Sequence, residues 1–294
     1  MLYINNRIIF NPFYKAIQRV FGEVRIPFRF SKYSNQIYTN FVHVYLLLLK
    51  ERYQASYRRL VKLADDLHIK QMLGIQKLPH YTTLQKFVSK IDKTLLEKLV
   101  RASHKLMTGL EMLAAIDSTG FSNVNPSYYY LHRCNLKTPT KNFIQTSLVV
   151  DTKTKLVLNV NTSPYRMHDT QAFIPLMDKL KHNISCVLAD KGYDSMELRK
   201  YCWKNNIVNH TPVKRLPKYQ KMSEERILAK RRFRYKTYAK RMIIESVISA
   251  IKRTTGNFVN AKNKENQQKQ VIFKVLTYNL EKVTGKITFQ IYLE

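Results

Sequence analysis

The stretch YAKRMIIESVISAIK at 238–252 carries four polar residues at the spacing Tyr-x2-Arg-x3-Glu-x6-Lys: Tyr238, Arg241, Glu245 and Lys252. At about 100° per residue, all four fall within roughly 60° of one another on a helix. Met242, Ile244, Val247, Ile248 and Ile251 lie mostly on other faces and can bury that helix against a sheet. A lone carboxylate among so many cations has two chemical readings. One is a solvated i,i+4 pair between Arg241 and Glu245, worth only a few tenths of a kcal/mol. The other is an acid that binds a metal ion beside a nucleic-acid phosphate. The ion pair alone does not explain why Tyr238 and Lys252 share the stripe.

Two more acids end short apolar runs. MLAAID (112–117) runs into Ser118-Thr119-Gly120, and SCVLAD (185–190) runs into Lys191-Gly192. Taken singly, Asp117 and Asp190 each read as a turn residue. The elements around them add a geometric reason. FIQTSLVVD (143–151) and LVLNVNTS (156–163) flank Asp151-Thr152-Lys153-Thr154, a hairpin signal that assigns Asp151 to the turn. DTQAFIPLMDKL (169–180) and MELRKYCWKN (196–205) read as helices, and IVNHTPV (207–213) as a short strand. The order is then strand, strand, strand, helix, strand, helix, strand, helix. A meander followed by right-handed crossovers gives a mixed sheet with helices on both faces. In that layout the first strand is central and the fourth lies parallel beside it. Asp117, closing the first, and Asp190, closing the fourth, meet at the carboxyl edge where strand order reverses, the usual crevice of open α/β sheets. Asp194 stands apart, because Asp194-Ser195-Met196-Glu197 has capping-box spacing and assigns it to helix capping. His168-Asp169 admits a proton relay, but Asp169 reads better as the cap of the helix that follows.

Composition limits the partner. Lys plus Arg number 51 against 20 Asp plus Glu, a formal net charge of +31 over 294 residues. A field of that size suits a polyanion, whose counterions are released on binding. Nucleic acid is favoured over an anionic membrane surface. The best apolar run, VHVYLLLLK (42–50), is far shorter than the roughly 20 residues of a spanning helix and reads as a buried helix turn. The N-terminal MLYINNRIIFNPF lacks the features of a signal peptide. The three cysteines, Cys134, Cys186 and Cys202, include no Cys-x-x-Cys pair, which argues for a reducing compartment and against zinc. Neither GxGxxG nor a phosphate loop occurs, so nucleotide-driven chemistry is not expected.

Residues 1 to about 105 read as helical. SYRRLVKLADDLH (56–68) sets Tyr57, Leu60, Leu63, Ala64 and Leu67 on one face and Arg58, Arg59 and Lys62 on the other. Pro79 breaks the chain, Thr82 or Thr83 can cap, and Leu84, Phe87 and Ile91 repeat helically. Two readings stand here: a helix-turn-helix DNA reader, or an ordinary helical subdomain with solvated basic residues.

The Tyr238-Arg241-Glu245-Lys252 pattern resembles the signature of DDE transposases of bacterial and archaeal insertion sequences. VLADKGYDS (187–195) and AAIDSTGF (114–121) look like the segments around that family's second and first aspartates, and SYRRLVKLADDL and LPHYTTLQKF like parts of its helical N-terminal domain. The resemblance runs from about residue 45 onward. It implies an RNase H-like α/β domain over 106–294, with a mixed five-stranded sheet flanked by helices, preceded by a helical DNA-binding domain over 1–105. It implies that Asp117, Asp190 and Glu245 are the catalytic acids and hold two Mg²⁺ ions, with Mn²⁺ able to substitute. Two such ions, about 4 Å apart, activate the attacking oxygen and stabilise the leaving one. Water would cut the element's end, and the freed 3′-hydroxyl would attack target DNA. Arg241 and Lys252 would clamp end phosphates, Tyr238 would contact the end, and Lys191, Arg58 and Arg59 are further candidate DNA contacts. The implied partners are double-stranded terminal repeats and target DNA, bound by a homodimer, in the cytoplasm at the nucleoid. A metal-dependent nuclease without joining, and a non-catalytic DNA-binding derivative, are the rival readings. The basic segment 214–237 is too short for the β insertion of some relatives and reads as a DNA-contacting loop or helix. SYYYLHRCNLKTPTK (127–141) reads as a β-arm over DNA or a solvated loop.

Overall fold

The structure is a computed structural model that describes residues 12–31, 37–107, 109, 111–123, 132–133, 143–215 and 222–291. The candidate arm at 127–141 lies almost wholly outside the described residues, as do 216–221 of the basic segment. The chain divides into two compact units. One comprises the residues up to Leu106 with Ile251–Gly256 and the segment from Ala261 on; the other is Met107–Ala250 with Asn257–Asn260.

The first unit begins with six helices: α1 (Pro12–Val24), α2 (Asn40–Arg52), α3 (Tyr57–Asp66), α4 (Ile69–Met72), α5 (Tyr81–Lys90) and α6 (Lys93–Lys105). α2 is buried from Val42 to Glu51, as its apolar run predicts. Its Thr39 cap accepts a hydrogen bond from the Val42 amide, and Ser56 does the same for Arg59 at the start of α3. α5 starts one residue before the expected threonine caps. His80 occupies the cap position, and its Nδ1 bonds the Thr82 hydroxyl at 2.8 Å, which takes that hydroxyl away from the helix amides. Among the described residues no helix is long and apolar enough to cross a membrane.

The second unit contains β1 (Met112–Ser122), β2 (Phe143–Asp151), β3 (Val157–Ser163), α7 (Asp169–Asp178), β4 (Ile184–Leu188), α8 (Met196–Lys204), β5 (Val208–His210), α9 (Glu224–Arg232), the single turn α10 (Tyr235–Tyr238) and α11 (Met242–Thr255) as far as Ala250, the end of that helix from Ile251 on falling in the first unit. The strands form one five-stranded sheet in the order β3-β2-β1-β4-β5, antiparallel in the β1–β2–β3 meander and parallel from β1 to β4 to β5. This is the mixed sheet expected from the element order. Met112, Ala114 and Ile116 point to one face, where they pack with Phe173, Leu176, Val187, Leu198 and Ile207. By the alternation of a strand, Asp117 points to the opposite face.

Four sequence expectations are corrected. Asp117 does not close its strand: β1 continues through Ser118-Thr119-Gly120 to Ser122, because β2 pairs with it all the way from Ala114↔Asp151 to Ser122↔Phe143. Gly120 is therefore a packing glycine, not a turn. A β-carbon there would meet Cδ2 of Phe143 at 2.8 Å and Cγ at 3.0 Å. Gly120→Ala is expected to cost about 1–3 kcal/mol through overpacking, read as a lower urea midpoint; an unchanged midpoint would mean the Phe143 ring yields freely.

Asp169 is not the cap of α7. His168 is, accepting at Nδ1 from the Thr170 amide, while Asp169 sits in the first turn. Asp194 does not cap α8 either. It is buried, with Oδ1 paired to Arg199 at 2.9 Å and Oδ2 accepting the Lys214 amide at 2.8 Å and facing Arg226 at 3.5 Å. Its carboxylate ties the start of the basic segment to α8, since a buried charge must be paired.

Finally, the sheet unit was expected to run to the C-terminus, whereas a last helix, α12 (Lys264–Ile291), belongs with the N-terminal helices. Every residue from Val271 to Leu280 is buried, so the helix is enclosed on all sides by α1, α2 and α6. The apolar run VIFKVLTYNL (271–280) is the signal that marks it.

Candidate active site

Asp117, Asp190 and Glu245 come from three different elements of the sheet unit. β1 and β4 pair in parallel with Ala114↔Val187 and Ala115↔Leu188 in register. Continuing that register by two residues puts Asp117 level with Asp190. β4 has ended by then and β1 has not, which leaves Asp190 in the loop beside a strand that still continues. Asp190 caps the 3-10 turn Lys191–Tyr193, its Oδ1 accepting from the Gly192 amide at 2.7 Å. The turn reading of Asp190 and its place beside Asp117 thus hold together. Gly192 suits this turn, because a β-carbon there would approach Asp190 Oδ1 to 2.8 Å.

Glu245 arrives from the opposite direction in sequence. The signature stretch is not one uniform α-helix. Tyr238 ends α10, Ala239–Arg241 form a 3-10 turn, and α11 begins at Met242. A 3-10 turn repeats every three residues, so Tyr238 and Arg241 come closer to eclipsing than they would on an α-helix. Ile244 and Val247 are fully buried, which seats α11 and leaves Glu245 at the surface with its side chain 53 % exposed.

Arg241 links the acids. Its guanidinium is 2.5 Å from Glu245 Oε1 and 3.5 Å from Asp117 Oδ2. The i,i+4 ion pair expected of Glu245 exists, and its arginine also reaches the strand aspartate. Asp117 is the most enclosed of the pair, its side chain 25 % exposed. Burial pushes its pKa up. The Ser118 amide, donating to Oδ1 at 2.8 Å, and Arg241 pull it down, while Asp190 and Glu245 push it up again. Burial, helped by the two like charges, outweighs the amide and the arginine, so the Asp117 pKa stands above its ordinary value. Arg241 itself is held above its ordinary value; burial opposes this, and Glu245, Tyr238 and Asp117 outweigh it. Among the described residues no three His, Cys, Asp or Glu side chains stand close enough to share one ion. The donor set nonetheless suits a hard divalent cation, because the three acids offer carboxylate oxygens only.

The remaining expected residues are placed as follows. Tyr238 is half-buried, its ring 5.2 Å from that of Phe233. Lys191 is exposed, next to Asp190. Lys252 lies on α11 two turns beyond Glu245, half-buried, with burial lowering its pKa. Arg58 and Arg59 are exposed on α3 in the helical unit; Arg58 stacks over the Tyr81 ring at 5.1 Å. Sequence reading missed a support behind Asp117. Tyr193 is buried, and its hydroxyl lies 3.2 Å from Ser118 Oγ, which is 2.8 Å from Ser147 Oγ. This chain joins the Asp190 turn to β1 and β2 on the face opposite Asp117. The tyrosine in ADKGYD, three residues after the acid, was the signal available.

Comparison with known proteins agrees with this architecture. The structure is similar to a piggyBac transposase synaptic complex with hairpin DNA, at 10 % identity, with 95 % of this chain and 73 % of that chain covered and a TM-score of 0.50. The sheet unit is thus RNase H-like. Weaker likenesses, which carry no argument, are to a pre-cleavage Mos1 transpososome (13 % identity, 88 % and 81 % covered, TM-score 0.21) and to a simian T-cell lymphotropic virus intasome in complex with PP2A regulatory subunit B56 gamma (15 %, 55 % and 58 %, TM-score 0.25). No curated protein sequence matches the chain. The profile of the transposase DDE domain matches residues 108–280, a span that takes in all three acids and Arg241. The chain therefore belongs to the transposase DDE domain family.

Proposed function

We propose that this protein is an insertion-sequence transposase that cuts DNA at its element's terminal inverted repeats and joins the freed ends to target DNA. The observation that carries the reading is the convergence of Asp117 and Glu245 on Arg241, with Asp190, just past the end of the neighbouring strand, level with Asp117. Asp117, Asp190 and Glu245 would hold Mg²⁺, or Mn²⁺ in its place, and the expected number of ions is two. Such ions supply Lewis-acid activation of the attacking oxygen and charge stabilisation at the leaving one. Glu245 is long and half-exposed, so its carboxylate has rotamers to choose from. Arg241 offsets part of the charge of Asp117 and Glu245 before DNA arrives and would offer a cation to the scissile phosphate. Tyr238 and Lys252 would contact the DNA end, Lys191 its backbone, and Arg58 and Arg59 of the helical unit the repeat itself, in a helix-turn-helix manner. Paired ends call for a homodimer on DNA, acting at the nucleoid.

The test is incubation of the full chain with linear DNA bearing the element's own terminal repeats, with and without Mg²⁺. The expected products are metal-dependent breaks at the repeat ends and joined strands. Breaks without joined strands would reduce the reading to a nuclease; metal-independent binding with neither product would reduce it to a DNA-binding protein. In the same assay, Arg241→Ala should lower cleavage roughly ten- to hundredfold, on the scale of residues that support catalytic groups, while leaving both aspartates in place.

A further inference from the structure

A groove of about 590 Å³ runs between α8, α9 and the end strand β5, lined by residues the acid cluster does not use. Its wall carries Trp203, the only tryptophan of the chain, and this largest of side chains is 66 % exposed. Val208 and Leu228, also exposed, extend the apolar surface. The Arg232 guanidinium lies 5.4 Å from the centroid of the Trp203 ring, a cation–π contact. Lys200 adds a second cation to the lining, against a single acid, Glu225; Arg199, also in the lining, is already paired with Asp194. His210 lines the same groove. It is 5 % exposed, and its Nδ1 has no hydrogen-bond partner among the described residues. An unmet buried ring nitrogen is costly, and burial together with Arg234 lowers the His210 pKa.

An aromatic platform, a cationic rim and an unmet polar atom form one set of demands. An apolar peptide would meet only the platform. A nucleotide meets the platform with a π-face and the rim with a phosphate, and its base edge is the polar group that a small shift of the His210 ring would meet. We propose that this groove is a stacking subsite for an unpaired nucleotide of the DNA substrate. The base lies on Trp203, the phosphates face Arg232 and Lys200, and the base edge turns toward His210. This rests on the reading of the protein as one that handles DNA, and adds to it a place for a strand that is not in duplex form. Stacking of this kind tolerates any base.

Because Trp203 is the sole tryptophan among nineteen tyrosines, fluorescence of the full chain excited at the red edge, where tyrosine does not absorb, reports on this site alone. Titration with a short oligothymidylate is expected to quench it saturably, less so at high salt. Trp203→Ala should weaken oligothymidylate binding roughly tenfold or more, measured by anisotropy of a labelled strand, and leave duplex binding unchanged. Trp203→Phe should keep most of the affinity. Emission that stays unquenched at saturating oligothymidylate, or equal affinity in Trp203→Ala, would overturn the proposal, as would equal quenching by polyglutamate. The repeat-cleavage assay run alongside separates the two readings. Cleavage without quenching sinks the subsite alone; quenching without cleavage sinks the transposase reading and leaves the groove as a single-strand site.

Discussion

Glu245→Gln, Asp117→Asn and Asp190→Asn are each expected to abolish DNA cleavage while the protein stays folded and bound to DNA. The fall should be about a thousandfold or more, the scale on which groups that act as one unit fail when any is removed. The three acids sit on three elements, so no single replacement disturbs a common backbone segment. Binding should persist, because neutralising a carboxylate leaves a chain of formal net charge +31 more positive still. Stability separates this expectation from simple unfolding. Burial and the neighbouring acids hold the Asp117 pKa above its ordinary value, so the folded state disfavours its charge. Asp117→Asn removes that charge at constant shape and should leave the melting temperature equal or higher. Glu245→Gln should be near neutral, since the Glu245 side chain is 53 % exposed and its amide replacement can still accept from Arg241. Melting curves by calorimetry, with cleavage assays on the same preparations, decide the matter. A variant that retains cleavage removes its acid from the site; one that loses cleavage and melts early shows a structural acid instead.

The second large effect concerns the helical unit. Glu51→Ala is expected to destabilise it by about 3–5 kcal/mol, the cost of breaking a buried ion pair, a large share of the roughly 5–15 kcal/mol a folded protein retains. Glu51 lies on α2, enclosed between Lys50 at 2.6 Å and Lys274 of α12 at 3.0 Å, and it also accepts from Gln270 Nε2 at 3.3 Å. All three charged side chains are at most 6 % exposed. Lys274 further donates to the Thr255 carbonyl at the end of α11. Removing the carboxylate leaves two ammonium groups in the interior. The pH dependence has a definite sign. Burial opposes the Glu51 charge, but Lys50 and Lys274 outweigh it and hold its pKa below the ordinary 4.5. A depressed acid stabilises the fold above that ordinary value, and the contribution is lost as pH falls through the folded pKa. Wild type should therefore lose melting temperature on acidification below about pH 4.5, and Glu51→Ala should lack that part of the loss. Pairing Glu51→Met with Lys274→Met should recover more stability than either change alone predicts, because the two residues touch.

The placing of Asp117 beside Asp190 was legible in the sequence where local rules and topology agreed. Apolar runs with β character, a hairpin turn at Asp151 and crossover helices were enough to place the first strand centrally and the fourth beside it, and so to bring Asp117 and Asp190 to one level. The spacing from Tyr238 to Lys252 was legible as a pattern, and the conversion of its first turn to 3-10 geometry was not, because that depends on how α10 and α11 are seated. Asp194 had the spacing of a cap and became the anchor of a buried ion network, since Arg226 lies 32 residues away and Lys214 20 residues away. Ser118-Thr119-Gly120 had turn composition and stayed in the sheet, because a paired neighbour strand outweighs local propensity.

By itself, the sequence determined the five strands and the crossover helices between them, their order, the sign of the field and which acids could meet. All of these follow from periodicity, charge and chain connectivity. Only tertiary structure decided that Arg241 holds Asp117 and Glu245 together, that Tyr193 braces β1 from behind, that α12 returns to the N-terminal helices, and that Trp203 opens onto a basic groove. Each of these depends on contacts between residues far apart in the chain, and neither spacing nor composition encodes the distance between such residues.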